Sequence, residues 1–256
     1  MNMISFIRKN RIRCIVAVFY QIFMSVVVVR NALLTGGTVS FESCWFLSFG
    51  GNLEIGVTNA DKFELPVLWI IFHAYIFYML CDQLHDHSVG IGIQRLIRIG
   101  SRRKWYFQVC RMDAEIIFFY YLCYFFILQI VLKIQNIPMD LNMAGVVLRQ
   151  YVAACFFLPV CCSISIFFIQ NVVSLYCSKY VAYVISLAIL VCSSYWRAYY
   201  LIGNYAMLLR MDFYRNSGLH VPTAFMICLA IMIFTLLVGL KKAGSRDFIE
   251  KELEER

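Results

Sequence analysis

The ionisable residues that interrupt the apolar stretches are the first candidates for chemistry. His73 stands in the middle of one apolar run, and Arg111, Asp113 and Glu115 stand at the start of another. Within a membrane, such residues often serve transport or proton transfer. For His73 we weigh a neutral histidine hydrogen-bonded inside the protein against a residue of a substrate pathway. Arg111 and Glu115 have the i, i+4 spacing of a helical ion pair, so a structural elbow is favoured over proton transfer.

Asp82, His85, Asp86 and His87 form the one cluster in the sequence that resembles a metal site. Its spacing allows two or three ligands and provides no fourth. Polar residues that end an apolar segment at a membrane surface explain it as well, so no metal ligand is predicted. P-loop, HExxH and GxSxG motifs do not occur in the sequence. We therefore expect no catalytic activity and no cofactor in this chain.

The composition indicates the solvent in which the chain folds. Hydrophobic residues occupy 62% of the 256 positions and charged residues 15%, whereas soluble domains have about 45–50% and about 25%. The apolar residues occur in runs long enough to cross a hydrocarbon core about 30 Å thick as a helix. The sequence therefore predicts an all-α, polytopic integral membrane protein with a single transmembrane domain. Soluble enzymes, DNA-binding modules and disulfide-stapled secreted domains are excluded.

Six segments are predicted to span the membrane as helices. They are residues 14–34, 65–81, 113–134, 147–176, 180–196 and 221–240. Pro159 is expected to kink the fourth span. An uncleaved first span is favoured over a cleaved signal peptide, because no convincing small-residue cleavage site follows the apolar run.

The placement of lysine and arginine predicts the orientation. Most of these residues lie in segment 1–13, between spans two and three, and in the tail 241–256. Because such residues remain on the cytoplasmic side, both termini are predicted to face the cytoplasm. Segment 1–13 is interpreted either as an interfacial helix or as an orientation signal alone.

Segment 89–105 is too short and too charged to cross the membrane and is predicted to be an amphipathic cytoplasmic helix. Its basic face consists of Arg95, Arg98 and Arg102, and its apolar face of Ile93, Leu96 and Ile97. One interpretation is a helix held flat by anionic headgroups, with Trp105 as interfacial anchor. The other is a docking helix that inserts into a groove of a cytoplasmic partner. The pattern favours neither.

Two external segments are also predicted to be partly helical. In the first external loop, the aromatic run from Phe41 to Phe49 predicts a short helix at the outer interface. In segment 197–220, two apolar half-helices around a Gly203-Asn204 break predict a re-entrant hairpin. Such a hairpin requires a cover of protein or a water-filled cavity. A simple surface loop is the alternative.

Residues 98–105 read RIGSRRKW, and residues 203–210 read GNYAMLLR. The first run resembles the R-x-G-S-R-x-x-W coupling-helix signature of the six-span membrane (permease) subunits of type-2 ABC transporters, of the bacterial lantibiotic and peptide export or immunity kind. The second is similar to the P-G-N-W-x-M-x-x-R external segment of these permeases. Ile202 stands where proline is common, and Tyr205 stands where tryptophan is common.

The resemblance implies a subunit of a bacterial cytoplasmic-membrane exporter that pairs with a second permease, as a homodimer or heterodimer. A separate ATP-binding cassette subunit would hold ATP and Mg²⁺ and would dock on the coupling helix. The residues implied are Arg95, Leu96, Ile97, Arg98, Ile99, Gly100, Ser101, Arg102, Arg103, Lys104 and Trp105 for docking, Gly203, Asn204, Tyr205, Met207 and Arg210 for an external gate hairpin, and His73 for the pathway. An ATP-independent secondary transporter, a membrane scaffold and a membrane-embedded enzyme are the alternatives. A lipid, a hydrophobic peptide and a drug all suit the apolar spans as substrate.

Overall fold

The computed structural model describes residues 3–34, 39–52, 65–86, 99–137, 146–214 and 218–245. In these ranges every regular element is a helix, which confirms the all-α class. The α-helices are α1 (Met3–Lys9), α2 (Arg11–Leu34), α3 (Phe41–Phe49), α4 (Val67–Leu80), α5 (Gln83–Asp86), α6 (Arg102–Ile134), α7 (Val146–Ser174), α8 (Lys179–Tyr195) and α9 (Val221–Ser245). Two short 3₁₀-helices, Ile202–Ala206 and Leu208–Arg210, lie between α8 and α9.

Five helices among the described residues are long and apolar enough to cross a membrane. They are α2, α4 together with the turn to His85, α6, the Ala154–Ser174 part of α7, and α9. Helix α8 is apolar but has 17 residues, which gives a length of about 26 Å, close to the lower limit for a span. The membrane-embedded character is therefore supported, while the sixth span and the orientation stay predictions.

Helix α6 extends beyond the predicted third span. We expected a span from residue 113, but the helix starts at Arg102 and runs for 33 residues, so it extends about 16 Å beyond the expected boundary. Hydropathy marks where a helix leaves the apolar phase, and it does not mark where the helix ends. Arginine, lysine, glutamine and methionine are good helix formers, so the charged segment continues the same helix.

Helices α6 and α7 form the centre of the bundle. Helix α7 packs against α6, α8 and α9, helix α6 packs also against α2 and α9, and α4 packs against α8. The aromatic helix expected at the outer interface is α3, and one of its faces is buried in the bundle. Phe41, Trp45 and Phe49 lie at i, i+4 and i+8 on that face and are 6%, 4% and 0% exposed. A capping box between Ser40 and Ser43 starts this helix.

Pro159 lies inside α7 and has no backbone N–H. The carbonyl of Cys155, four residues earlier, therefore lacks its helical donor. The indole Nε1–H of Trp45 donates to this carbonyl at 3.2 Å. The hydroxyl of Tyr121 on α6 lies 3.3 Å from the carbonyl of Pro159 itself. Helix α3 thus supplies a donor to the backbone around Pro159, and helix α6 places a hydroxyl beside it.

We expect Trp45→Phe to lower the free energy of unfolding by about 1–3 kcal/mol, because it leaves the buried Cys155 carbonyl without a donor. Pro159→Ala restores the helical N–H, so the same Trp45→Phe change should cost clearly less in that background. Detergent-induced unfolding followed by circular dichroism measures both values. Trp196→Phe, at a tryptophan that is 62% exposed, is the control. If Trp45→Phe lowered the free energy of unfolding equally in the two backgrounds, the indole N–H of Trp45 would not be replacing the donor that Pro159 removes.

Candidate functional site

The predicted docking residues are described from Ile99 onward; Arg95, Leu96, Ile97 and Arg98 lie outside the described residues. Gly100 has φ +69°, and Ser101 is extended with φ −147°. A positive φ is costly for residues with a side chain and free for glycine, which explains the glycine at this position. The chain turns at Gly100, so residues 102–105 belong to α6 and are not part of one helix that continues from residue 89.

Arg102, Arg103 and Lys104 occupy the first turn of α6, and Arg103 and Lys104 are exposed. The helix dipole disfavours cations at a helix N-terminus, so helix stability does not account for them. Trp105 is 3% exposed and belongs to a buried cluster that includes Leu84 and Ala243. The first turn of α6 is therefore anchored by Trp105 while it presents positive charge to its surroundings.

Asp82 joins three helices at this same end of the bundle. Its carboxylate lies 2.6 Å from the guanidinium of Arg13 on α2 and 2.6 Å from the ammonium of Lys179 at the start of α8. Both carboxylate oxygens are thus engaged by cations, which fits the interpretation of this cluster as a polar end of α4. No group of three metal-ligating side chains occurs among the described residues, and His87 lies outside them. We call this end, with Arg13, Asp82 and Lys179, the inner end.

His73 is completely buried, and both of its ring nitrogens are hydrogen-bonded. Nδ1 donates to the carbonyl of Trp69 at 2.7 Å, and Nε2 accepts from the hydroxyl of Tyr121 at 3.0 Å. The tautomer is assigned from this network, because a carbonyl can only accept. The Tyr121 hydroxyl also lies 2.7 Å from the hydroxyl of Ser163. This geometry matches the histidine hydrogen-bonded inside the protein, and a role in a pathway stays a prediction.

Segment 197–220, which is predicted to be external, differs from the predicted hairpin. Gly203 and Asn204 lie inside the 3₁₀-helix Ile202–Ala206, all five residues of which are buried. The chain becomes extended at Met207 instead. A Cβ at position 203 would lie 2.5 Å from Oγ of Ser193 on α8, so the glycine allows close packing and does not break a helix. Two α-helical halves around Gly203-Asn204 are therefore not formed, although the segment is covered by protein as expected.

Arg210 holds this segment to the rest of the bundle. It is 2% exposed and donates to the carbonyl of Ser194 at 2.8 Å and to that of Asn52 at 2.7 Å. It also donates to the carbonyl of Ser193 and to Oδ1 of Asn204. The last carbonyls of a helix have no partner within it and carry partial negative charge. Arg210 therefore caps α8 and ties it to the chain after α3.

Arg111 and Glu115 form the predicted i, i+4 ion pair at 2.9 Å on an exposed face of α6. Asp113 is not part of that pair. Successive helical residues are about 100° apart, so Asp113 points away from both, and its side chain is fully buried. Asn171 of α7 donates to its Oδ2 at 3.0 Å. We expected Arg111, Asp113 and Glu115 to form one structural elbow. Their spacing along the helix, however, already places Asp113 on a different face from Arg111 and Glu115.

Trp45 and Ser193 are further residues that the sequence did not indicate. Pro159 was the available signal for Trp45, because a proline inside a span leaves a carbonyl that needs a donor. Nothing in the sequence places that donor on α3. Comparisons with protein-family models, with curated proteins and with solved structures gave no match.

We expect Gly203→Ala to lower the thermal unfolding temperature, because the new methyl group collides with Ser193. Ser193→Gly removes both colliding atoms, so adding Gly203→Ala to that background should cause little further loss. Ser193→Ala is the matched control. Its Cβ would still lie 2.7 Å from the new methyl group, so this variant should not restore the unfolding temperature that Gly203→Ala lowers. Thermal unfolding of these purified variants in detergent tests this. An equal loss in the Ser193→Gly background would contradict the contact.

Proposed function

We propose that this chain is the permease subunit of an ABC transporter in a bacterial cytoplasmic membrane. Six spans, α2, α4, α6, α7, α8 and α9, would form one half of the pathway, and a second permease would form the other half. A separate ATP-binding subunit would supply the energy. The substrate class that suits the apolar spans is a hydrophobic or peptide molecule, with an antimicrobial peptide as a candidate for export or self-immunity.

The observation that carries this proposal is the arrangement of Gly100 to Trp105. The glycine turns the chain at φ +69°, three consecutive cations follow at a helix start where the dipole disfavours them, and Trp105 is buried beneath them. A surface that is rigidly held and cationic suits docking on an acidic rim of a partner. The run RIGSRRKW, with its resemblance to the coupling signature, covers these same residues.

The inner-end ion cluster supports the orientation in this proposal. Arg13 and Lys179 meet at Asp82, and Arg103 packs beside Gly244 at the end of α9. Basic residues that flank α2, α6, α8 and α9 therefore share one end of the bundle. The positive-inside rule assigns such an end to the cytoplasm. The short helix α8 would then cross the membrane between Lys179 and the Arg210 cap.

An ATP-independent secondary transporter is the second candidate. The fully buried carboxyl group of Asp113 favours it, because gradient-driven transport uses ionisable side chains inside the bundle. The two candidates differ in one requirement. The ABC permease needs an ATPase subunit at its inner end, and the secondary transporter does not.

Affinity purification of the tagged chain from its native host in mild detergent should recover a P-loop ATPase. We expect the variant with both Arg98→Glu and Arg102→Glu to insert normally and to lose the ATPase, since the change reverses charge at the proposed docking surface. The variant with both Lys241→Glu and Lys242→Glu, which reverses two charges at the same end, is the matched control and should retain it. Membrane fractionation and quantitative mass spectrometry measure insertion and recovery.

Two outcomes would overturn the ABC assignment. One is a preparation without an ATPase when crosslinking in intact membranes also finds none. The other is full recovery and stimulation of the ATPase in the Arg98 and Arg102 variant. The first outcome would leave the secondary transporter as the better candidate.

A further inference from the structure

The buried carboxyl group of Asp113 has one hydrogen-bond donor among the described residues. Asn171 donates to Oδ2 at 3.0 Å, while Oδ1 has no hydrogen-bond partner among the described residues. The side chain is 0% exposed. None of the ion pairs in the described part of the chain includes it. The carboxyl group is therefore desolvated, and no cation in the described part of the chain forms an ion pair with it.

The polar neighbours of Asp113 are few and uncharged. The thiol of Cys110, one turn earlier on α6, lies 3.9 Å from Nδ2 of Asn171. The hydroxyl of Tyr106, one turn further, is buried without a hydrogen-bond partner in the described residues and packs against Gly239 of α9. Two buried oxygen atoms without partners thus lie along one face of α6, where it meets α7 and α9.

Several charged groups of the surrounding elements are engaged with other partners: Arg111 with Glu115 on the exposed face of α6, Arg13 and Lys179 with Asp82 at the ends of α2, α8 and α4, and Lys242 of α9 with the ring of Tyr176 after α7. The side chains of Arg103, Lys104 and Lys133 on α6 and of Lys241 on α9 are exposed. On α7, Asn171 and the neighbouring Gln170 are uncharged. Cys110 and Tyr106 are the titratable groups beside Asp113, and neither supplies a positive charge.

An ionised carboxylate in such a place loses its hydration without an opposite charge to replace it. The neutral acid loses far less, and apolar sites in other proteins hold carboxylic acids in this form. We propose that Asp113 is a proton-binding site, which keeps its proton while the inner parts of α6, α7 and α9 are packed together and releases it to water when they separate.

The release step breaks the O–H bond of the carboxylic acid, and water accepts the proton. The carboxylate that remains opposes repacking until a proton returns, so the packed state and proton binding favour each other. This inference does not rest on the proposed ATPase partner. It holds for either candidate function, and its tests use the purified chain alone.

Infrared spectroscopy of the purified protein tests the protonation state. We expect a protonated carboxyl C=O band at neutral pH that is lost in Asp113→Asn and kept in Glu115→Gln, the matched change at the exposed acid on the same helix. In Asn171→Leu the band should persist and move to higher frequency, because the C=O group loses a hydrogen-bond donor. The frequency shift in Asn171→Leu assigns the band to Asp113 even if the Asp113→Asn variant does not fold. A wild-type spectrum without the band, or an equal band in Asp113→Asn, would overturn the proposal; an ionised carboxylate would instead indicate a bound cation.

Labelling of Cys110 tests the coupling to packing. Cys110 is 1% exposed, whereas Cys177 is exposed and serves as the reference thiol. Between about pH 6 and pH 9, we expect the maleimide labelling of Cys110 relative to Cys177 to rise severalfold in the wild type, as the charged carboxylate loosens the packing. In Asp113→Asn the ratio should stay flat. A flat ratio in the wild type, or the same rise in Asp113→Asn, would overturn the coupling.

Discussion

Backbone carbonyls that helix geometry leaves without a donor must be satisfied within the protein, because hydrocarbon offers no hydrogen bonds. Two such places organise this bundle. The carbonyl of Cys155, opposite Pro159, is reached by Trp45, and the last carbonyls of α8 are reached by Arg210. Both donors come from elements that do not span the membrane. The burial of α3 and the folding of the 3₁₀ segment onto α8 therefore follow from where the long helices leave carbonyls unsatisfied.

The two ends of the bundle are held by different interactions. At the opposite end, where α8 terminates, the guanidinium of Arg210 meets several carbonyls at once, and each of these bonds is to a fixed backbone group. At the inner end, Asp82 connects helices through partly exposed ion pairs, which solvent weakens. On the inner-end side, Tyr106 and Asp113 each leave a buried oxygen without a partner in the described residues. The inner end is thus held by partly exposed ion pairs and by the buried cluster around Trp105, and the end of α8 by a buried guanidinium.

Local patterns predicted much of the fold, and contacts between helices were beyond them. Apolar runs located the five long helices, and the i, i+4 spacing of Arg111 and Glu115 gave their ion pair. The predicted span 113–134 lies within α6, and hydropathy did not indicate that the helix itself begins at Arg102. The bond between Asp113 and Asn171 joins residues 58 positions apart, and no local spacing predicts how two helices are rotated toward each other. The role of Gly203 was missed for the same reason, since its contact is with another helix.

Helix α6 connects the features that matter for either candidate function. Its 33 residues extend about 50 Å, from the cationic first turn through Asp113 to the outer half. There, Tyr121 and Tyr124 are hydrogen-bonded to side chains of His73, Ser163 and Ser48. Tyr106 and Asp113 lie between the first turn and these tyrosines along the helix. In the proposed transporter, docking at the first turn and the protonation of Asp113 would therefore act on the same helix.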